Sequence, residues 1–329
     1  MFISAVETLI TLLQGVADPT RLRLLFLLSE AELTVSELTM ILGQSQPRVS
    51  RHLKLLCEAG LLQRFKEGSW VFHRLHDAGL SSAFARSIVD LPLQDRTVFD
   101  ADRARLAQVR AARAAAAAEF FRTNAPEWER IRSLHAPDKD VESAVLRVLG
   151  PGRVGSFLDA GTGTGRMLEL LAQHVGRGIG IDNSAEMLAI ARDRLEQARA
   201  HHCQVRLADI YRLPFRSGTA ESGFDAVLFH QVLHYLHDPQ AAVAEAARVL
   251  KPGGRLVIAD FAPHDLEFLR TELSHRRLGF ADREVESWFA AAGLKPEAGE
   301  AIAPSATDGK LTVKIWAARA AEARSKAAA

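Results

Sequence analysis

Between Gly152 and the end of the chain, short apolar or alternating runs recur at strand length: VGSFLDA, GIGID, CQVRLAD, DAVLFH, RLVIADF and LTVKIWAARA. The stretches between them have helical length and pattern. Such alternation predicts a mostly parallel sheet with helices on both faces, because parallel neighbours must be joined by crossovers. The first run leads into Leu158-Asp-Ala-Gly-Thr-Gly-Thr-Gly-Arg-Met167, where a strand ends near Asp159, a glycine turn follows and a helix opens near Arg166. A loop of this kind cradles part of a nucleotide-like ligand.

Acidic residues narrow the ligand. Asp159 precedes Gly161, Gly163 and Gly165; a carboxylate there repels a pyrophosphate but bonds an amino group. Asp182 ends the next strand, placed for the two hydroxyls of a ribose. Asp209 follows a third strand and is suited to accept from an adenine amine.

The first 80 or so residues have a different rhythm. Phe2 to Gln14 is helix-like, and Asp18-Pro19 starts a second helix. Thr34 and Glu37 form a capping box for a third helix, Val35 to Leu42, ended by Gly43. Ser45 caps a fourth. LLQRFKEGSWVFHRL then alternates around Gly68-Ser69, a hairpin signal. Short helices followed by a hairpin make a winged helix-turn-helix. Charge agrees: residues 45–76 carry six Lys/Arg against Glu58 and Glu67, whereas residues 1–44 carry two Arg against five acids. In the fourth helix Val49, Leu53 and Leu56 face the core, with Leu62 just after it. Gln46, Arg48, Ser50, Arg51 and Lys54 then take the opposite face. Arg and Gln suit base edges and Ser and Lys suit phosphates, while Lys66 near the hairpin tip can reach a neighbouring groove.

DPTRLRLLFLL, SELTMILGQSQPRVSRHLKLLCEAGLL and their spacing resemble the ArsR/SmtB family of dimeric bacterial repressors, over about the first quarter of the chain. The resemblance implies a homodimer on double-stranded operator DNA. Many members of the family sense metals through thiolates in a segment where this chain has Thr34 and Ser36. Hydroxyls are poor ligands for soft metals, so no metal effector is expected, and Cys57 reads as a small core residue.

From about Gly150 onward the chain resembles the class I S-adenosylmethionine-dependent methyltransferases. That resemblance implies that Asp159, Gly161 and Gly163 line the methionine and ribose side of S-adenosylmethionine or S-adenosylhomocysteine. It places Asp182 on the ribose, Met187 on the adenine ring, and Asp209 with Ile210 at the adenine edge. The fold expected is therefore an N-terminal α/β winged helix-turn-helix over residues 1–80 and a helical linker and lid over 81–135. An α/β Rossmann-like methyltransferase domain with a mostly parallel sheet follows over 136–320, then a disordered tail over 321–329. Pro126 is expected to break the linker, and Phe120, Phe121 and Trp128 either cover the ligand or belong to an ordinary amphipathic linker helix.

Whether such a protein catalyses is left open by the sequence. His230, Gln231 and His234 are candidates to face a transferred methyl group, and the alternative is that they are polar helix or loop groups. HQVLH is not the Asn/Asp-Pro-Pro-Tyr/Phe of the amino-methylating enzymes, and two distant cysteines cannot supply the thiols for arsenite methylation. Those two cysteines also exclude a disulfide scaffold. The start of the chain lacks a basic leader, no apolar run is long enough to span a membrane, and a cytoplasmic protein is expected. A regulator that senses an adenosyl ligand and an active small-molecule methyltransferase with an attached DNA-binding domain are the two readings.

Overall fold

The Asp18 carboxylate accepts the N–H groups of Thr20 and Arg21 and so opens α2 (Pro19–Glu30), two residues after α1 (Ala5–Val16) ends. Pro19 sits in the first turn, where its missing donor costs nothing. β1 (Leu33–Thr34) leads into α3 (Val35–Leu42), whose capping box is complete: Glu37 N–H donates to Thr34, and Glu37 accepts from the Thr34 backbone. Gly43, at φ +63°, closes α3 in the left-handed region. α4 (Gln46–Glu58) follows. Ser45 occupies its N-cap position but makes no capping bond, contrary to expectation. Pro47, two positions on, removes one of the two donors that the hydroxyl would meet.

β2 (Leu62–Glu67) and β3 (Trp70–Leu75) pair antiparallel, from Leu62 opposite Leu75 to Glu67 opposite Trp70, and β1 adds to the far side of β3. α5 (Gly79–Val89) and the long α6 (Thr97–Arg132) complete the helices of this half. The helix-turn-helix core holds Leu24, Leu38, Ile41, Val49, Leu53 and Leu56, and it also takes in Ala85, Leu106 and Val109 from α5 and α6. The first part of the expected linker thus packs into the winged helix-turn-helix core. Pro126 does not end α6: the helix runs through it, carried by the Ala- and Arg-rich turns before it.

The computed structural model describes residues 5–67, 70–76, 79–93, 95–132, 137–150, 152–272, 275–303 and 311–322, and the chain divides into two units, Met1–Ala116 and Ala117–Ala329. The expected hairpin turn at Gly68-Ser69, residues 323–329 of the expected tail, and the side chains of Phe120, Phe121 and Trp128 lie outside the described residues.

After α7 (Asp138–Leu149), the second unit alternates as expected: β4 (Val154–Ala160), α8 (Arg166–Leu171), β5 (Val175–Asp182), α9 (Ala185–Gln197), β6 (Cys203–Leu207) and β7 (Phe224–His230). A 3₁₀ turn at Leu233–Tyr235 leads to α10 (Pro239–Val249), β8 (Leu250–Phe261), α11 (Phe268–Glu272), α12 (Asp282–Ala291), β9 (Leu294–Ile302) and β10 (Val313–Ala320). The seven strands form one sheet in the order β6-β5-β4-β7-β8-β10-β9, with β6 to β8 parallel and β10 antiparallel to both its neighbours. One apolar layer unites the sheet with α10 and α12 through Val243, Ala246, Val285 and Phe289; the other unites it with α7, α8 and α9 through Val145, Leu168 and Leu188.

Two local features are not evident from hydropathy. Pro252-Gly253-Gly254 forms an irregularity inside β8, where the partner of β7 jumps from Leu250 to Arg255. β9, LKPEAGEAI, escapes a hydropathy reading because it is an edge strand with mostly exposed residues. It pairs only with β10, so Pro296 is tolerated there.

Candidate functional site

The sheet's strand order reverses between β4 and β7, the position at which α/β sheets hold ligands outside the carboxyl ends of their strands. Asp159 stands at that point, level with Gly180 of β5 and Leu228 of β7. The glycine loop leaves β4 pinned against β5, because the N–H groups of Gly161 and Thr162 both donate to the Ile181 carbonyl, at 2.9 and 2.8 Å. Gly161 has φ +81°, and a Cβ there would lie 2.9 Å from Val232 Cβ and closer still to Cγ2, so only glycine fits. Gly163, at φ +52°, instead faces open space, and its N–H donates to Asp182 at 2.9 Å.

The carboxylates differ in state. Asp159 is buried; one oxygen accepts the Thr162 hydroxyl at 2.6 Å and the other has no partner among the described residues. Burial, reinforced by the nearby Asp182 charge, pushes its carboxyl up to about 7. A buried carboxylate oxygen without a donor suits an ammonium group. Asp182 is half-buried and accepts from Gly163 and Ser184, the latter being the N-cap of α9 that receives Met187 N–H. Met187 is half-buried on the first turn of α9. Asp209 is exposed beyond β6, its side chain closing a turn onto Tyr211 N–H, with Ile210 half-buried beside it.

His230 ends β7 and is half-buried. Gln231 follows at φ +50°, an uncommon conformation for a residue other than glycine, held by its N–H donating to Ala259 O at 2.7 Å. His234 is buried and its Nδ1 lies 2.7 Å from Asp260. Asp260 is fully buried and also accepts N–H groups from Leu233, His234 and Phe261. Sequence reasoning missed Asp260, Thr162 and Val232, since an isolated Asp, Thr or Val in or beside an apolar run carries no motif. The His275 ring lies tilted against His234 at 4.2 Å, both its ring nitrogens are buried without a partner among the described residues, and burial lowers its pKa to about 3.

In the first unit, α4 buries Val49, Leu53 and Leu56 and exposes Gln46, Arg48, Ser50, Arg51 and Lys54, the division read from the sequence. Lys66 is exposed on β2. Thr34 is engaged in the α3 cap, and burial raises the thiol pKa of half-buried Cys57.

This is a winged helix-turn-helix joined to a Rossmann-like methyltransferase fold. Residues 18–64 match the bacterial regulatory protein, arsR family, and residues 158–258 match a methyltransferase domain. The arsenical resistance operon repressor of Escherichia coli is 49% identical over 82 residues, covering 25% of this chain and 68% of that protein. The chain belongs to the arsR family through this region and carries a class I methyltransferase domain after it. A demethylmenaquinone methyltransferase of Tropheryma whipplei is 36% identical over 119 residues, 36% of this chain and 47% of that one. The chain spans about a third to a half of the first curated relatives it matches, 34% to 47% of their length. Among solved structures, the geranyl diphosphate C-methyltransferase of Streptomyces coelicolor has TM-score 0.47 and 20% identity, over 55% of this chain and 78% of that one. Among the described residues no helix is long and apolar enough to cross a membrane.

Proposed function

We propose that this protein is a dimeric, operator-binding regulator that senses S-adenosylmethionine or S-adenosylhomocysteine through its methyltransferase domain. The observation that carries the reading is the buried, unpartnered oxygen of Asp159 beside a glycine loop with no room for side chains at Gly161. The residues fit the ligand. Asp159 would take the amino group, Asp182 the ribose hydroxyls, Met187 the adenine face, and Asp209 with Ile210 the adenine edge. The sulfonium of S-adenosylmethionine, when bound, supplies a transferable methyl. The chain's own residues contribute binding, orientation and a buried carboxylate.

DNA binding rests on the exposed Gln46, Arg48, Ser50, Arg51 and Lys54 of α4 and on Lys66 of β2. The dimer is supported by α1, which leaves Val6, Leu9, Ile10 and Leu13 exposed at the spacing of one helical face, a stripe that a second copy would cover. The test is operator binding by fluorescence anisotropy with each ligand. One of them should shift operator affinity by about 5–150-fold, and by reciprocity operator DNA should shift that ligand's affinity equally. Asp182→Ala should weaken the ligand and abolish the shift while sparing ligand-free DNA binding. If neither ligand moves the curve while the protein turns over a methyl acceptor, the sensor reading fails.

That second reading, methyl transfer to a small acceptor, is favoured by one arrangement: Asp260 fixes His234 just beyond β7, and Gln231 holds an uncommon backbone angle there. An imidazole oriented by a buried carboxylate can accept a proton from an acceptor hydroxyl.

A further inference from the structure

Helix α6 holds α3, the first helix of the helix-turn-helix, at both ends. At the C-terminal end, Arg105 Nε donates to the Ile41 carbonyl at 2.5 Å, one of the carbonyls that a helix end leaves without an internal partner. Arg105 is steadied by Asp102, 2.7 Å away, a buried carboxylate that also takes a bidentate bond from Arg23 of α2 at 2.6 and 2.7 Å. At the N-terminal end, Arg113 grips Glu37 through Nε and Nη2, both at 2.9 Å, and its Nη2 reaches the Glu32 carbonyl at 3.0 Å. Glu37 is the same carboxylate that closes the α3 capping box with Thr34.

The spacing matches. Arg105 and Arg113 stand eight positions apart (113 − 105), about 12 Å along a helix at about 1.5 Å per residue, and α3 has eight residues and the same length. The two helices run in opposite senses, since the earlier arginine meets the later end of α3. Arg103, on the same helix, pairs with Glu30 at 2.5 Å, and Arg110 donates to the Glu30 carbonyl at 2.9 Å, so α6 also seals the end of α2. α3 in turn packs Leu38 and Ile41 into the core that seats Val49 and Leu53 of α4. Only Gly43, Gln44 and Ser45 separate it from α4.

We propose that Arg105 and Arg113 are positioning residues for DNA recognition: they fix α3, and through it α4, to the axial position of α6. An arginine bound at each end of a short helix resists sliding in either direction. A shift of α6 by one residue, about 1.5 Å, breaks both grips at once. Because α6 is one helix that continues past Ala116 into the second unit, the clamp is the point at which a ligand-dependent change of α6 would act on α4. This last step rests on the sensing function proposed above; the positioning role does not.

The experiment uses the full chain with Arg105→Gln, Arg113→Gln, Glu37→Gln and the Arg113→Gln/Glu37→Gln double variant. Glutamine at position 37 keeps the capping box, since Gln serves there as Glu does, and removes only the charge that Arg113 grips. Without ligand, each single variant should lose about tenfold in operator affinity with non-operator DNA binding changed less than twofold. The double variant should lose no more than the singles, because both remove one interaction. Unchanged operator affinity, or losses that multiply in the double variant, overturns the clamp. In a second arm, S-adenosylhomocysteine affinity measured by calorimetry should stay within twofold while the ligand's effect on operator affinity shrinks toward unity. A full effect in Arg113→Gln overturns transmission through the clamp. If wild type binds the ligand without any effect on the operator, the sensing proposal fails, and the positioning role is still decided by the first arm.

Discussion

Thr162 donates to one oxygen of Asp159 at 2.6 Å and leaves the other, buried, with no donor among the described residues. The carboxyl is pushed up to about 7 from its ordinary 3.8, chiefly by burial. Its folded pKa lies above its unfolded one, so folding stability is greatest in acid and falls as pH rises from about 4 to about 7. Asp159→Asn keeps an acceptor for Thr162 and removes that cost. The ligand-free variant should be more stable than wild type at pH 8, by a few kcal/mol on the order given by linkage, with the gap closing near pH 4. It should also lose the adenosyl ligand. Thermal melts at both pH values check the first half and calorimetric titration the second.

Ligand affinity should follow the same carboxyl. If Asp159 takes the ligand's amino group as proposed, the ammonium pairs with the ionised form, and binding below about pH 7 expels a proton from Asp159. Affinity for S-adenosylhomocysteine should therefore fall by up to tenfold per pH unit below about 7 and level off above it. Calorimetry in buffers of different ionisation enthalpy should count close to one proton released at pH 6. A flat profile between pH 5.5 and 8 would remove Asp159 from the amino-group contact.

On the proposed DNA-binding face the residues are expected to divide by role. Arg51→Ala, if Arg51 reads a base edge, should cost roughly 1–3 kcal/mol and relax sequence preference. Lys66→Ala should weaken all sequences alike and reduce the salt dependence by about one contact. Titrations on operator and scrambled DNA at several salt concentrations separate the two, and identical behaviour of the variants would erase the distinction.

Much of this was legible from residue order. The exposed face of α4 follows from Val49, Leu53 and Leu56 recurring at helical spacing, and the Thr34–Glu37 cap from its side-chain pattern. Asp159 and Asp182 stand out in the sequence because strands of the sheet are apolar and an acid near a strand's end interrupts the run. The edge strand β9 was not, because a strand paired on one side and open to solvent on its faces has no apolar signature. Nor was Asp260, whose four partners come from residues up to 27 positions away and from its own neighbour. The grip of Arg113 on Glu37 spans 76 positions, a distance over which charge pattern alone does not assign partners.

Gly161 offers a test of the loop independent of charge. At φ +81°, with Val232 Cβ only 2.9 Å from where an added methyl would sit, alanine meets both backbone strain and a clash with a branched side chain. Gly161→Ala should cost roughly 1–3 kcal/mol of stability and weaken the adenosyl ligand at least tenfold. Gly163→Ala faces open space and meets strain alone, so its stability loss should be smaller, and on the proposed ligand reading its methyl should still weaken binding. Equal losses from both in denaturant unfolding would show that the close approach to Val232 does not matter.

His275 gives the second unit an acid weakness. Among the described residues both its ring nitrogens are buried without a partner, beside His234 at 4.2 Å and stacked on Phe261 at 6.0 Å, and burial holds its pKa at about 3 against an ordinary 6.5. Between those values the unfolded chain binds a proton that the folded chain refuses. Stability contributed by the neutral imidazole is therefore present above about pH 6.5 and is lost as pH falls toward 3, by at most about 1.4 kcal/mol per pH unit. His275→Phe keeps the stacking on Phe261 and has nothing to protonate. Its unfolding free energy, followed by the fluorescence of the full chain in urea, should decline less steeply than that of wild type between pH 6.5 and 4, by close to one proton. At pH 8, where wild type is neutral, the two should differ little, because exchanging unpartnered nitrogens for carbon leaves no buried polar group behind. Parallel pH curves for the two proteins would mean that His275 finds a partner or reaches water before it titrates.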